Sequence, residues 1–355
     1  SPSCDSHPPA CRYMFARKCD PAVDAGPVRI WDGWMAKKLR GEPARGQEPL
    51  GGKPKRAPAL LEDPGAAIGN PLVLGNPVAV AALAATVGGG ARPPALALAL
   101  ADGSARVCEA VPNGRDGGEG LWELEERHRV DVEAGGMCLA AGWCPTGRNV
   151  AVGTHGGALA VIRGAEGGGF EAEAEARDAH PAEVWTAAFD WHRENVVYTG
   201  ADDSAFKGWD LRMPDVAFQR TKAHGAGVTA VAPSPHQEGL VATGSYDERL
   251  RFWDLRSLAA PVLTRELPTG GGVWRVKWHP ARPGALLLAN MHAGFCTVSA
   301  EPPEQAEVVE VYAGHESLGY GADWWYGEAP GERRDVVATC SFYDNMLHVW
   351  EPTAV

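Results

Sequence analysis

A chain of 355 residues allows two or three ordinary domains or one large β-rich one. Its 44 Gly and 28 Pro are too many for a mainly helical protein, while 45% hydrophobic residues and 13 Trp exclude wholesale disorder. The net charge of −12 is uneven: residues 1–60 carry 11 Lys and Arg against 6 Asp and Glu, which leaves −17 on the rest and argues against a nucleic-acid-binding body.

From the N-terminus, the first 30 residues carry charges throughout and no continuous apolar stretch, so no secretory leader is expected. The chain opens on Ser1 rather than Met, and a missing true start is expected. Residues 11–34, CRYMFARKCDPAVDAGPVRIWDGW, read as the last strands of a structural unit whose opening strand is missing, so 1–36 is taken as a partial first unit. Residues 37–75 follow as an insertion or linker, Gly-, Pro- and Lys-rich over 37–58 and expected to be disordered. The apolar run 72–87 is broken by Asn76 and Pro77 and falls short of the ~20 residues that span a bilayer, so no membrane segment is expected.

Residues 76–355 hold the remaining units. Two weak copies, at 78–111 and 137–162, show short alternating runs separated by turn formers, the pattern of strands. The next two carry a measurable period. One runs from His180 through VVYTGADDSAFKGWDLR, the other from His224 through LVATGSYDERLRFWDLR, and both the His pair and the Trp pair are 44 residues apart. That lies inside the ~40–45 residue period of four-stranded propeller blades with a GH…WD signature. A copy at 271–299 keeps the strand rhythm without Trp-Asp, and His292 stands where other copies have Asp. The last, Gly314 to Glu351, is lengthened by a polar stretch at 327–334. Seven copies in all predict an all-β, seven-bladed WD-repeat propeller with an incomplete first blade.

Within each strong copy a His, a Thr, a turn Asp and a Trp recur: His180, Thr199, Asp203 and Trp209; His224, Thr243, Asp247 and Trp253; His315, Thr339, Asp344 and Trp350. A buried His and Asp are tolerable only when they satisfy each other, so these sets are expected to be structural. The eight Cys show no CxxC pair and no metal-ligand spacing, so reduced thiols, a cytoplasmic location, no metal and no cofactor are expected.

The segments GGVWRVKWHP with MHAGF, YGADW and ATCSFYD…LHVWE, in this order after ATGSYDERLRFWD, resemble the WD-repeat diphthine methyl ester hydrolases of the diphthamide pathway. The resemblance covers 180–351 well, 76–163 only by rhythm and the first 75 residues poorly. It implies hydrolysis of the methyl ester of methylated diphthine, a modified histidine on translation elongation factor 2. Its implied partners are that factor and other diphthamide-pathway proteins. Methylated diphthine carries a quaternary ammonium near the ester, and such cations bind aromatic faces. The positions that build a propeller's central face are Asp202, Tyr246, Met291 and Tyr343 from the turns, with Trp185, Trp274 and Tyr320 from the inner strands. Substrate binding is assigned to Trp185, Asp202, Tyr246, Trp274, Tyr320 and Tyr343; a generic peptide-docking face is the alternative.

For the hydrolytic step no GxSxG elbow is present. His292 is the candidate base, Asp323 a possible acid, and Ser245 a possible nucleophile, as are Cys340 and Ser341, against the plainer reading of each as a turn or packing residue. CSFYD has one residue more before its turn Asp than GSYD, which predicts a bulge pushing Phe342 or Tyr343 toward the central face. No N-terminal segment matches a closing strand, so an open last sheet is expected. The competing function is a non-catalytic WD-repeat scaffold joining protein partners.

Overall fold

In the computed structural model, which describes residues 11–13, 80–86, 95–112, 122–165, 169–171, 174–325 and 335–353, the alternating segments form antiparallel sheets. The first sheet joins β1 (Cys11–Tyr13), β2 (Val80–Thr86), β3 (Ala95–Leu100), β4 (Ser104–Pro112) and β5 (Trp122–Asp131). The second contains β6 (Cys138–Trp143), β7 (Val150–Thr154), β8 (Ala158–Ile162) and β9 (Glu175–Asp178); the third β10 (Val184–Phe189), β11 (Val196–Ala201), β12 (Phe206–Asp210) and β13 (Val216–Arg220). The fourth has β14 (Val228–Pro233), β15 (Leu240–Ser245), β16 (Arg249–Asp254) and β17 (Val262–Pro268). The fifth has β18 (Arg275–Trp278), β19 (Ala285–Ala289), β20 (Phe295–Ser299) and β21 (Glu307–Tyr312), and the sixth β22 (Gly319–Trp324), β23 (Val337–Ser341) and β24 (Leu347–Trp350).

The second strands β7, β11, β15 and β19 are buried on both faces, and that decides how the sheets stack. In β11, Val197 packs toward the second sheet while Val196 and Tyr198 pack toward the fourth, because successive side chains leave a strand on opposite sides. The same division recurs between the other consecutive sheets. Ala97 and Val107 meet Trp143 and Val150; Phe252 and Leu250 meet Trp278 and Leu286; Phe295 and Leu287 meet Trp324 and Val337. The core is therefore a series of apolar layers between successive sheets, with strands β2, β6, β10, β14, β18 and β22 side by side. This is a WD40 β-propeller.

Indole N–H groups stitch the layers. Trp278 Nε1 donates to the Ala232 carbonyl at 2.8 Å and Trp324 Nε1 to that of Lys277 at 3.0 Å, each bridging neighbouring sheets. Histidines do the same: His236 Nε2 lies 2.7 Å from the His279 carbonyl, and His279 Nε2 3.1 Å from Asp335 Oδ1. Cys138, Cys144 and Cys296 are buried free thiols within these layers, and Cys108 is a buried free thiol of the first sheet. Burial pushes the Cys108 thiol up to about 11 and the Cys296 thiol up to about 12.

The blade count differs from the sequence expectation. Six sheets stand among the described residues rather than seven, because Cys11–Tyr13, from the expected first copy, pairs with β2 inside the first sheet. The rest of the 1–36 unit, the 37–75 insertion and the whole 327–334 loop lie outside the described residues. The sixth sheet has three strands, and β24 pairs only with β23 among the described residues.

Candidate functional site

The recurrent His, Thr, Asp and Trp come together as hydrogen-bonded chains. In the third sheet Trp209 Nε1 donates to Thr199 Oγ1 at 2.9 Å, Thr199 Oγ1 lies 2.8 Å from His180 Nε2, and His180 Nδ1 sits 3.0 Å from Asp203 Oδ2. Burial opposes the charge on Asp203, yet the bonds from His180 and the Ala205 amide hold its carboxyl below the usual range. The sixth sheet repeats the chain through Trp350, Thr339, His315 and Asp344, at 3.2, 3.1 and 2.9 Å.

The fourth sheet departs from the expected set. Trp253 and His224 still meet Thr243, at 2.8 and 2.9 Å, but Asp247 turns to the Gly225 amide at 2.7 Å and to Arg251. The Arg251 guanidinium, its side chain 5% exposed, reaches Asp247 and Glu266 at 2.8 Å each. A fork of this geometry takes both carboxylates and leaves His224 Nδ1 buried without a partner. Burial and the Arg251 charge then lower the His224 imidazole to about 4.

On the inner face, where the first strands begin and the second strands end, the six residues assigned to binding form a continuous chain. Trp274 is central, with ring centroids 5.9 Å from Trp185, 5.9 Å from Tyr246 and 5.6 Å from Tyr320. Tyr320 continues to Tyr343 at 6.2 Å, and Tyr343 to Phe342 at 5.1 Å. The extra residue of CSFYD places both rings in the turn 342–344, where Tyr343 reaches the inner face. Asp202 Oδ1 accepts the Trp185 indole N–H at 3.3 Å. Burial and the Asp202 charge raise the Tyr246 phenol far above its ordinary value, and burial beside Tyr343 raises that of Tyr320. Gly272 permits the close approach: a Cβ there would stand 2.9 Å from Met291 Sδ and 3.5 Å from the Tyr246 ring. Met291 holds a left-handed backbone at φ 46° and is locked by reciprocal backbone bonds to Gly319 in the sixth sheet.

Ser245, Asp323 and His292 are not hydrogen-bonded to one another. Ser245 is buried, its hydroxyl donating to the Ala226 carbonyl at 3.0 Å and accepting from the Asp247 amide at 3.2 Å. Asp323 Oδ2 faces the Lys277 ammonium at 3.4 Å, and Oδ1 accepts the Trp324 amide at 2.9 Å. His292 follows Met291 in the turn of the fifth sheet; its side chain is 56% exposed and its Nε2 lies 3.7 Å from Glu248 Oε1.

Two residues at or near the face carried no repeat signature. Arg275 follows Trp274 and folds its guanidinium back over that ring, 5.3 Å from the centroid, while Nη1 donates to the Trp274 carbonyl at 3.2 Å. Glu133 takes over the His and Asp positions of the second sheet together, accepting from the Gly156 amide at 2.8 Å, the Thr154 hydroxyl at 3.1 Å and the Met137 amide at 3.1 Å. Only the position of Glu133 ahead of a strand, with glycine at 156, hinted at the exchange.

The model of the family described as WD domain, G-beta repeat matches residues 217–254. The chain is 32% identical over 246 residues, 65% of its length, to a diphthine methyltransferase homolog of Dictyostelium discoideum, and covers 66% of that relative. It is 43% identical over 150 residues to the human protein named diphthine methyltransferase, which is 41% of this chain and 33% of that protein; the chain thus spans about a third of the human relative. A relative of the same name in Saccharomyces cerevisiae is 31% identical over 198 residues, 48% of this chain and 49% of that protein. Among solved structures, a chain of the Crystal Structure of Mitotic Checkpoint Complex superposes with a TM-score of 0.56 at 17% identity, covering 73% of this chain and 71% of that one, a likeness of fold.

Proposed function

We propose that this protein hydrolyses the methyl ester of methylated diphthine on translation elongation factor 2, a step of diphthamide biosynthesis. The observation that carries the reading is the unbroken chain of Trp185, Trp274, Tyr246, Tyr320 and Tyr343 with Asp202 at one end, in a chain similar to proteins named for diphthine. Ring faces attract a quaternary ammonium by roughly 0.5–2 kcal/mol per contact, and an adjacent carboxylate adds to that attraction. In the reaction water adds to the ester carbonyl, the bond from carbonyl carbon to methoxy oxygen breaks, and methanol leaves with the proton. His292, exposed beside Met291 with Glu248 facing its ring, is the group assigned to take the proton from that water. Ser245 has both sides of its hydroxyl engaged by backbone, which favours direct attack by water over an acyl-enzyme.

The relatives' name favours a second reading, methyl transfer to the diphthine carboxylate. One experiment separates the two. The purified chain is incubated with elongation factor 2 bearing methylated diphthine, and the mass of the modified peptide is followed together with methanol release. Loss of one methylene mass with methanol supports hydrolysis. An unchanged mass in a stable complex sinks it in favour of a scaffold, and a gain on the unmethylated form with a methyl donor supports transfer. His292→Ala is expected to lower turnover about a hundredfold with an unchanged melting temperature; full turnover in that variant removes His292 from the role.

A further inference from the structure

We infer that the aromatic face reads a dipolar ligand, taking a cation at the Asp202–Trp185 end and a carboxyl group, ester or carboxylate, at the Arg275–Trp274 end. The inference rests on the substrate proposed above and concerns how the face divides it. Asp202 is fixed at one end through its bond to the Trp185 indole N–H. Arg275 is fixed at the other, over the Trp274 ring and tied to the Trp274 carbonyl. Trp185, bonded to Asp202, and Trp274, under Arg275, stand 5.9 Å apart, so opposite signs are held on one pair of neighbouring rings. Both charges reach the Tyr246 phenol, where Asp202 opposes ionisation and Arg275 favours it.

That arrangement discriminates by sign. A lone cation gains from Asp202 and the rings but is repelled by Arg275, and a lone anion meets the reverse. A molecule with a quaternary ammonium at one end and a carboxyl oxygen at the other meets an opposite partner at each. A guanidinium also suits the carboxyl group in particular, because two N–H donors in one plane match two carboxyl oxygens. Toward an ester, the same donors polarise the carbonyl. Toward the acid produced by hydrolysis they bind a full negative charge, so the product is held more tightly than the ester at this end.

The test uses small probes and the whole chain, without turnover. Calorimetric titrations with choline, glycine betaine and betaine methyl ester compare a cation alone, a cation with carboxylate and a cation with ester. Betaine is expected to bind about tenfold more tightly than choline, the worth of one charge-assisted hydrogen-bonded contact, with the ester between them. Arg275→Met is expected to abolish the preference and leave choline binding equal or stronger, while Arg275→Lys restores part of it; Asp202→Asn weakens all three. Thermal melts identify any variant that fails to fold. Equal affinities in the unmodified chain, or a preference that survives Arg275→Met, overturn the division of the face while the esterase reading stands. Binding of none of the probes overturns both the inference and the assignment of this face to diphthine.

Discussion

A buried imidazole is accommodated in two ways here, and the difference traces to the residue two before the Trp of each repeat. In the third sheet that residue is Lys207, whose ammonium donates to the Ala179 carbonyl at 2.6 Å and leaves Asp203 to His180. In the fourth it is Arg251, which captures Asp247 and leaves the ring neutral and half satisfied. His224 is held down at about 4 in the folded chain but returns to about 6.5 on unfolding, so the unfolded state binds the extra proton between these values. Its contribution is complete above about pH 6.5 and is lost as pH falls toward 4. Denaturant titrations should show His224→Gln destabilised more at pH 7 than at pH 5, by about 2 kcal/mol; an equal effect at both would mean the ring is not kept neutral. Arg251→Lys should free Asp247 to bond His224 and move its NMR titration upward, toward the usual histidine range. Both rings and acids were visible as a repeat. The diversion was not, because a one-residue change of cation leaves the repeat pattern untouched.

At the scale of single elements, the turns after β6, β10, β14 and β18 are built on one scheme with four chemistries. Cys144 Sγ accepts the Arg148 and Asn149 amides, Asp190 Oδ1 the His192 and Arg193 amides, Ser234 Oγ the His236 and Gln237 amides, and His279 Nδ1 the Ala281 and Arg282 amides. Each needs an acceptor facing two backbone N–H groups, and thiol, carboxylate, hydroxyl and imidazole all provide one. Ser234→Ala is expected to cost about 1 kcal/mol in urea unfolding. Asp190→Ala should cost about 3 kcal/mol or more, since its carboxylate also binds Arg193 at 2.7 Å and the Tyr198 hydroxyl at 2.7 Å; similar losses in both variants would contradict this difference. The strands were legible from alternation of apolar residues, and the inner-face positions from the repeat phase. Arg275 and Glu133 were not, because each acts through where its long side chain folds rather than through its spacing.

For the whole molecule, the core is the set of apolar layers between sheets, and β24 is an edge of that set among the described residues. In β24 the side chains of Leu347 and Val349 belong to residues 64% and 61% exposed, beside a strand edge that pairs on one side among the described residues. Such edges promote association between chains. Leu347→Lys with Val349→Lys should reduce concentration-dependent light scattering and barely move the melting temperature; unchanged scattering would place the sticky surface elsewhere. The expectation of seven units failed at the N-terminus, because rhythm and composition do not reveal whether a short segment founds a sheet or joins its neighbour, as Cys11–Tyr13 joins β2.

The buried thiols give the stack a set of clocks. Cys108 lies in the first sheet, Cys138 in the second and Cys296 in the fifth, and all three are closed to solvent. Burial also keeps them protonated and so slow to react with an alkylating reagent. The time each takes to become labelled therefore records how often its own sheet opens, while half-buried Cys340 marks the sixth. Mass spectrometry of the labelled peptides would show whether the propeller breathes from its sixth sheet inward or loosens as one body, with Cys340 expected to react first and Cys296 last.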